Sequence, residues 1–400
     1  VDEYVFGEEY NFPEWGNFTW SSAQGSASSF SYDNGYAQDV RFNFIKQHTL
    51  NNTIEMNYRG PGEREPVFAF SHDFGSVSSA SAVYTVGSAQ VPAMRYLAPS
   101  GVVSLDPWWM KCYGDLFQLI DFHYNDIATC QSLAIDFDGQ LKDDIDAYFS
   151  ASAANVWSNL TSPGSPPYYG NSSSDTYYSS TDQYGEPYIF NAENGMGFLN
   201  PLNYTGVAVP DVPESESYYA ITSLAARQIM GAYVLAIPPG GPAPFNETDY
   251  PLSFQKEISS DGNVNTVDVV YPAMSFFLYA NPNLLKYNLE PLFQNQEGGF
   301  YPNGYSMHDL GTNFPNATGH VLGNDEYMPV EECGNMIIMS YSYYKYTGDA
   351  SYLHAHYDKL FQWALYLVEF AKIPFLQLST GKICCTLSTK DRAVMQLTGV

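Results

Sequence analysis

Positive charge is scarce in this chain: 16 Lys and Arg stand against 43 Asp and Glu over 400 residues, a net charge of −27. A nucleic-acid binder needs a basic face to displace counterions from phosphates, so that class is excluded. Charged residues of both signs make up only 15% of the chain, which leaves a polar but largely uncharged surface. Cysteine is also sparse. Cys112, Cys130, Cys333, Cys384 and Cys385 form no CxxC or zinc-ligand spacing, and the odd count leaves at least one thiol without an internal bridge. Cys112 and Cys130 read either as a disulfide or as two buried thiols. No apolar run approaches the roughly 18 residues that cross a bilayer, so no membrane partner is expected. GxSxG, P-loop, GxGxxG and HExxH motifs are all missing, which lowers serine-hydrolase, nucleotide-dependent and zinc-protease readings. No cofactor and no metal is expected.

Hydrophobic residues are plentiful at 45% and aromatics reach 16%, with 34 Tyr and 25 Phe, so the chain folds. Its length suits two domains as a soft prior. Asn-X-Ser/Thr acceptor sites at Asn17, Asn51, Asn159, Asn171, Asn203, Asn246 and Asn316 point to N-linked glycans and passage through the secretory route. The start at Val1 reads as that of a processed or truncated chain.

Residues 1–105 carry short β-rich runs, Gly16–Trp20, Val40–Phe44 and Ser81–Val86, between Gly, Pro and Asn punctuation. These predict an antiparallel β-sandwich-like domain. Residues 106–155 change to helical spacing and form a linker. Residues 156–213, rich in Ser, Tyr and Pro, read as an ordered but irregular insertion. From 214 onward the chain is mainly helical. One helix runs from Glu214 to about Leu235 before Pro238-Pro239, a second from Asn281-Pro282 to Gly298-Gly299, and a third from near Glu331 to Thr347-Gly348. Asp349 caps a fourth that continues through Trp363 to Phe370. Helix, Gly, capping Asp and helix make an αα-hairpin, and hairpins in series predict a toroid. The stripe Met336, Met339, Tyr343, Tyr346 is read as core.

The densest polar segment runs from Tyr301 to Asn335, with five carboxylates and two histidines. Two carboxylates in unequal environments can divide the work of general acid and general base. Asp309 on a loop and Glu332 or Glu331 at a helix start form such a pair, with Asp325 as an alternate. The plainer alternative is that Glu331 and Glu332 simply favour a helix N-terminus and that Asp325 and Glu326 are a solvated turn. His308 and His320 read as hydrogen-bonding contacts or proton carriers. In Phe254–Asp268, Asp261, Asn263 and Asn265 mimic a calcium loop. Thr266 stands where Gly is needed and Pro272 where the bidentate Glu belongs, so that reading fails, leaving a turn or a substrate-contacting loop.

At these residues the chain resembles the fungal glutaminase A family. The matching stretches are Glu257–Val269, Ser306-Met-His-Asp-Leu-Gly311, Pro315-Asn-Ala-Thr-Gly-His320 and Met328-Pro-Val-Glu-Glu-Cys-Gly-Asn-Met336, extended by Val67–Asp73 and Tyr219–Gln228. The resemblance implies an α+β multidomain fold, an N-terminal antiparallel β-sandwich followed by an (α/α)6 six-hairpin toroid. It also implies hydrolysis of L-glutamine to L-glutamate and ammonia, outside the cell or at its wall. The residues expected to carry it are Asp309, Glu332, Glu331 and Asp325, with His308, His320, Asn335, Tyr305, Asp261 and Asn263 as substrate contacts. An inverting glycoside hydrolase of the six-hairpin type, with Trp108, Trp109 and Trp363 stacking sugars or else packing in the core, is the alternative. A catalytically inactive partial homologue is the third reading. After Thr380 the chain departs from the family pattern, and 381–400 reads as a divergent tail. Residues 214–380 are too few for twelve helices of about 12 residues with loops of about 5, so a partial toroid is expected. The start at Val1 falls inside what the resemblance implies as the sandwich, so an incomplete sandwich is expected as well.

Overall fold

The computed structural model describes residues 5–9, 12–13, 15–57, 60, 62–155, 179–181, 187–189, 213–246, 248–258 and 262–372. The chain divides into two compact units, Val1–Ala128 with Ala226–Val400, and Thr129–Ala225.

The first unit opens with a β-sheet region. A short hairpin, β1 (Glu8–Glu9) with β2 (Phe12–Pro13), is followed by β3 (Asn17–Ser22) and β4 (Ser29–Tyr36). Next comes a helix, α1 (Ala37–Gln47), where the alternating Val40-Arg-Phe-Asn-Phe44 predicts a strand. Only Ala37 and Val40 are buried, a helical spacing of three, while Phe42 and Phe44 are exposed, and His48 closes the helix in the left-handed region at φ 58°. Strands β5 (Pro66–Asp73), β6 (Tyr84–Ala89), β7 (Met94–Ala98) and β8 (Gly101–Leu105) complete the region. β3 pairs with β6, β4 with β5 and β7 with β8, each antiparallel. In β7 the alternate residues Met94, Tyr96 and Ala98 are buried, the period-2 signature of one face on a core.

A 3₁₀ turn (Trp108–Lys111), α2 (Leu116–Asn125) and the start of α3 (Ile127–Asn155) follow, as the helical spacing predicts. Asp115 caps α2 through a 2.9 Å bond from Gln118 N–H. The second unit carries most of α3, the antiparallel pair β9 (Ser179–Thr181) and β10 (Pro187–Ile189), and the first part of α4 (Glu214–Gly231). The remainder of the insertion, including Asn159, Asn171 and Asn203, lies outside the described residues.

The rest of the first unit is the helical domain. α4 ends at Gly231 rather than near Leu235, because Tyr233–Ala236 is strand β11, paired antiparallel with β12 (Leu252–Gln255). A β-rich Tyr-Val-Leu run beside an available partner strand overrides continuation of the helix. Then come α5 (Val267–Ala280), α6 (Pro282–Glu297), the short strand β13 (Asn316–Ala317), α7 (Pro329–Thr347), α8 (Ala350–Ala355) and α9 (Tyr357–Phe370). Asn281 caps α6 with Pro at its first position, and Gly348 ends α7 at φ 75°, both as predicted. The expected single helix after Asp349 is broken at His356. Its ring is drawn to Glu297 at 2.8 Å and towards Glu290 at 3.7 Å.

An N-terminal β-sheet region thus leads into a helical domain. The two share a core. β13 lies parallel to β7, and Tyr96 O–H donates to Gln294 at 3.0 Å. Around them pack Phe245, Phe254, Phe277, Leu289, Phe293, Met307 and Trp363. Met336, Met339 and Tyr343 are core as expected, but Tyr346 is 67% exposed because it falls in the last turn of α7. Cys112 and Cys130 have exposed side chains and form no disulfide with each other, against both sequence expectations. Cys333 is buried, and burial raises its thiol to about 12, so it is inert.

Candidate active site

Two helix N-termini and one loop build the site. Val267 N–H, in the first turn of α5, donates to His308 O at 2.8 Å, and Leu310 N–H donates to Val264 O at 2.7 Å. The loop from Tyr301 to Met328 is thereby tied to the start of α5. Buried Asn265, at φ 47°, fixes that start: it donates to Ser253 O and Asn288 O and accepts from Gln255 N–H. Asp268 sits in the first turn of α5, and Glu331 and Glu332 in the first turn of α7. Acidic side chains favour that position because free N–H groups leave partial positive charge there. Here they also converge on the loop.

On the loop, Asp309 is 1% exposed. His308 Nδ1 lies 2.9 Å from its Oδ2, while His320 Nε2 lies 2.7 Å and Gly311 N–H 2.8 Å from its Oδ1. Burial pushes the Asp309 carboxyl up, but the hydrogen bonds and charge of the two imidazoles outweigh it and hold it at about 2. Burial likewise pulls both histidines down, and their bonds to Asp309 overcome it, so both are raised. Gly311 stands at φ +156°, where a Cβ would collide with the Asn316 carbonyl.

The other ring nitrogen, His308 Nε2, faces carboxylates. It is 3.2 Å from Glu326 Oε2 and 3.9 Å from Asp268 Oδ1. Glu332 is fully buried; Oε2 accepts from Asn335 Nδ2 at 3.2 Å, and Oε1 has no hydrogen-bond partner. Asp268 Oδ1 and Glu331 Oε2 are likewise buried without a hydrogen-bond partner. Burial, then the Asp268 charge, raises both Glu331 and Glu332, the latter well above the usual range. Burial also raises Asp268, partly offset by His308. Asp268, His308 and Glu332 each offer an atom able to ligate a metal, all within 4.8 Å of one another. Such a set could hold a divalent cation.

Of the residues singled out in the sequence, His308, Asp309, His320, Glu331, Glu332 and Asn335 come together. Asp325 accepts from His308 N–H at 2.8 Å and Tyr301 O–H at 2.9 Å, so it braces the loop from beneath. Tyr305 packs among Tyr301, Tyr327 and Tyr366. Asn263 is buried with Nδ2 3.5 Å from Asp309 Oδ2, and Asp261 lies outside the described residues. Trp363 is core, its ring tilted against Phe293 at 5.5 Å, and Lys111 covers the Trp108 ring at 4.4 Å. Sequence reasoning missed Asp268 and treated Glu326 as part of a solvated turn. The available signal for Asp268 was Thr266-Val-Asp268 opening a helix, obscured by Pro272 within it.

A β-sheet region thus leads into a helical domain whose helix N-termini gather buried carboxylates about an imidazole. Residues 215–391 match the glutaminase A six helical-hairpin domain, and residues 1–144 match a domain of unknown function (DUF5127). The chain is 34% identical over 395 residues to glutaminase A of Aspergillus oryzae, covering 98% of this chain and 46% of that protein. It is 32% identical over 350 residues to a "Probable glutaminase" of Arthroderma benhamiae, covering 85% of this chain and 32% of the relative. The chain therefore spans less than half the length of these relatives. Over these stretches the chain is similar to fungal proteins of the glutaminase A type. Among the described residues, no helix is long and apolar enough to cross a membrane.

Proposed function

We propose that this centre hydrolyses the side-chain amide of L-glutamine to L-glutamate and ammonia. The similarity to proteins named glutaminase supports the substrate. The observation that carries the chemistry is that Asp268, Glu331 and Glu332 each keep a buried oxygen without a hydrogen-bond partner beside His308. An amide is a weak electrophile with a poor leaving group. A base must take a proton from water as its oxygen bonds to the amide carbon, and an acid must deliver a proton to nitrogen as the C–N bond breaks. Asp268, Glu331 and Glu332 are the groups with oxygens left open for this. The sequence pairs Asp309 with Glu332, but both Asp309 oxygens are already engaged, so Asp309 is assigned the task of orienting His308, with His320 as its second anchor. Asn335 orients Glu332, and Asp325 holds the loop. Tyr305, Asn263 and Asp261 are substrate contacts in this reading.

An inverting glycosidase keeps its carboxyl groups about 6.5–9.5 Å apart to admit water. The parallel assay below separates that alternative directly. The same glutaminase reading assigns the protein to the cell exterior or wall, with N-linked glycans on exposed Asn17, Asn51 and Asn246. The deciding assay incubates the purified chain with glutamine and, in parallel, a panel of glycosides. Ammonia release that disappears in Glu331→Gln supports the proposal. Sugar release without ammonia, or a folded chain that turns over neither, sinks it.

A further inference from the structure

We propose that Asp268, His308 and Glu332 form a binding site for a divalent first-row cation. The three ligand atoms come from α5, the loop and α7, which the backbone bonds described above fix against one another. Metal bonds of about 2.0–2.2 Å to nitrogen and oxygen place tetrahedral ligands about 3.4 Å apart. The 3.9 Å between His308 Nε2 and Asp268 Oδ1, and the 4.8 Å limit for the set, require side-chain movements of under about an ångström.

The surroundings of His308 match what a metal-bound imidazole requires. Its Nδ1 bonds to Asp309, so the ring is oriented with Nε2 towards the carboxylates, and Asp309 is itself pinned by His320 and Gly311. A carboxylate behind a ligating histidine is the usual support for such a bond. Glu332 supplies the independent indication. It is 0% exposed, yet its Oε1 has no hydrogen-bond partner; Asp268, 28% exposed, also keeps its Oδ1 buried without a hydrogen bond, 3.9 Å from His308 Nε2. Buried carboxylate oxygens facing one another are costly without a cation or a shared proton between them. Glu326 Oε2 now occupies the approach to Nε2 at 3.2 Å, but that side chain is 41% exposed and can swing away or join as a fourth ligand.

Two carboxylates and one imidazole suit Zn²⁺ or Mn²⁺. Three protein ligands leave a position for water or a carbonyl oxygen, and that role, though not the binding itself, rests on the hydrolase reading. It would leave Glu331 as the open carboxylate for proton transfer.

Titration of the full chain, stripped with chelator, with Zn²⁺ and separately Mn²⁺ by calorimetry tests the site. One equivalent of at least one ion is expected, weakened ten-fold or more in Asp268→Asn and in His308→Gln and unchanged in the exposed control Glu369→Gln. Circular dichroism of each variant shows whether it has folded, and Asp268→Asn, at a partly exposed position, keeps the test available if His308→Gln does not. Absence of stoichiometric binding to the wild-type chain, or binding indifferent to Asp268→Asn, overturns the proposal. Ammonia release from glutamine by metal-free protein that binds neither ion would do the same while leaving the hydrolase reading intact. One bound ion with no ammonia release would support the cation site and remove the hydrolase reading instead.

Discussion

His308 and His320 grip the two oxygens of one buried carboxylate, Asp309, at 2.9 and 2.7 Å. A carboxylate so occupied is a strut between two rings, and turning one of its oxygens into an amide NH2 leaves one buried ring without its acceptor and removes the charge that both rings face. Asp309→Asn is therefore expected to lower ammonia release by orders of magnitude and to destabilise the protein by about 3–5 kcal/mol, the cost of breaking a buried pair. Urea unfolding and an ammonia assay on the same preparation check both. A variant as stable as wild type would mean that the two bonds contribute little.

Glu332→Gln should separate activity from stability in the opposite sense. The residue is fully buried with one oxygen unpartnered and other carboxylates nearby. An amide of the same size removes the negative charge and adds donors that can reach those carboxylates. For chelator-stripped protein the expected outcome is unchanged or raised thermal stability, with turnover of glutamine lost. A melting temperature several degrees lower in the metal-free protein would show that Glu332 has a stabilising partner within the chain.

Gly311→Ala tests the loop. At φ +156° a side chain is strained, and its Cβ would meet the Asn316 carbonyl. The same residue donates its N–H to Asp309. The substitution should cost more than about 1 kcal/mol and reduce turnover with it. Wild-type stability and activity together would show that the loop can adopt another path.

Legibility in the sequence followed how local each signal was. α6 and the end of α7 were readable because Asn281-Pro282 and Gly348 are chain-local signals whose geometry tertiary context left intact. α1 was not, because five alternating residues fit a strand as well as they fit a helix burying only Ala37 and Val40. Strand β12 was hidden for a different reason. Its Ser253 and Gln255 are buried polar residues satisfied by Asn265 and Asn288, partners far along the chain or across a turn. The carboxylates of α7 were legible through their motif, whereas Asp268 belongs to the same cluster only through folding. No spacing in the sequence links residue 268 to 308 and 332.

The pair of glutamates around His356 predicts a pH effect on stability away from the candidate centre. His356 stacks on Phe293 at 3.9 Å and touches the Tyr352 ring, while Glu297 and Glu290 of α6 lie 2.8 and 3.7 Å from its nitrogens. Burial pulls the imidazole down, but the two carboxylates more than offset it and raise it from 6.5 to about 9. Because the folded value is above the unfolded one, the stabilisation is fully present below about pH 6.5 and is lost as pH rises through about 9. A shift of that size corresponds to about 3 kcal/mol. Urea unfolding of wild type and His356→Gln at pH 6 and pH 10 reads the difference directly. The gap between the two proteins should be wide at pH 6 and about 3 kcal/mol narrower at pH 10. An equal gap at both values would mean that His356 is held neutral and joins α6 to the break between α8 and α9 by packing alone.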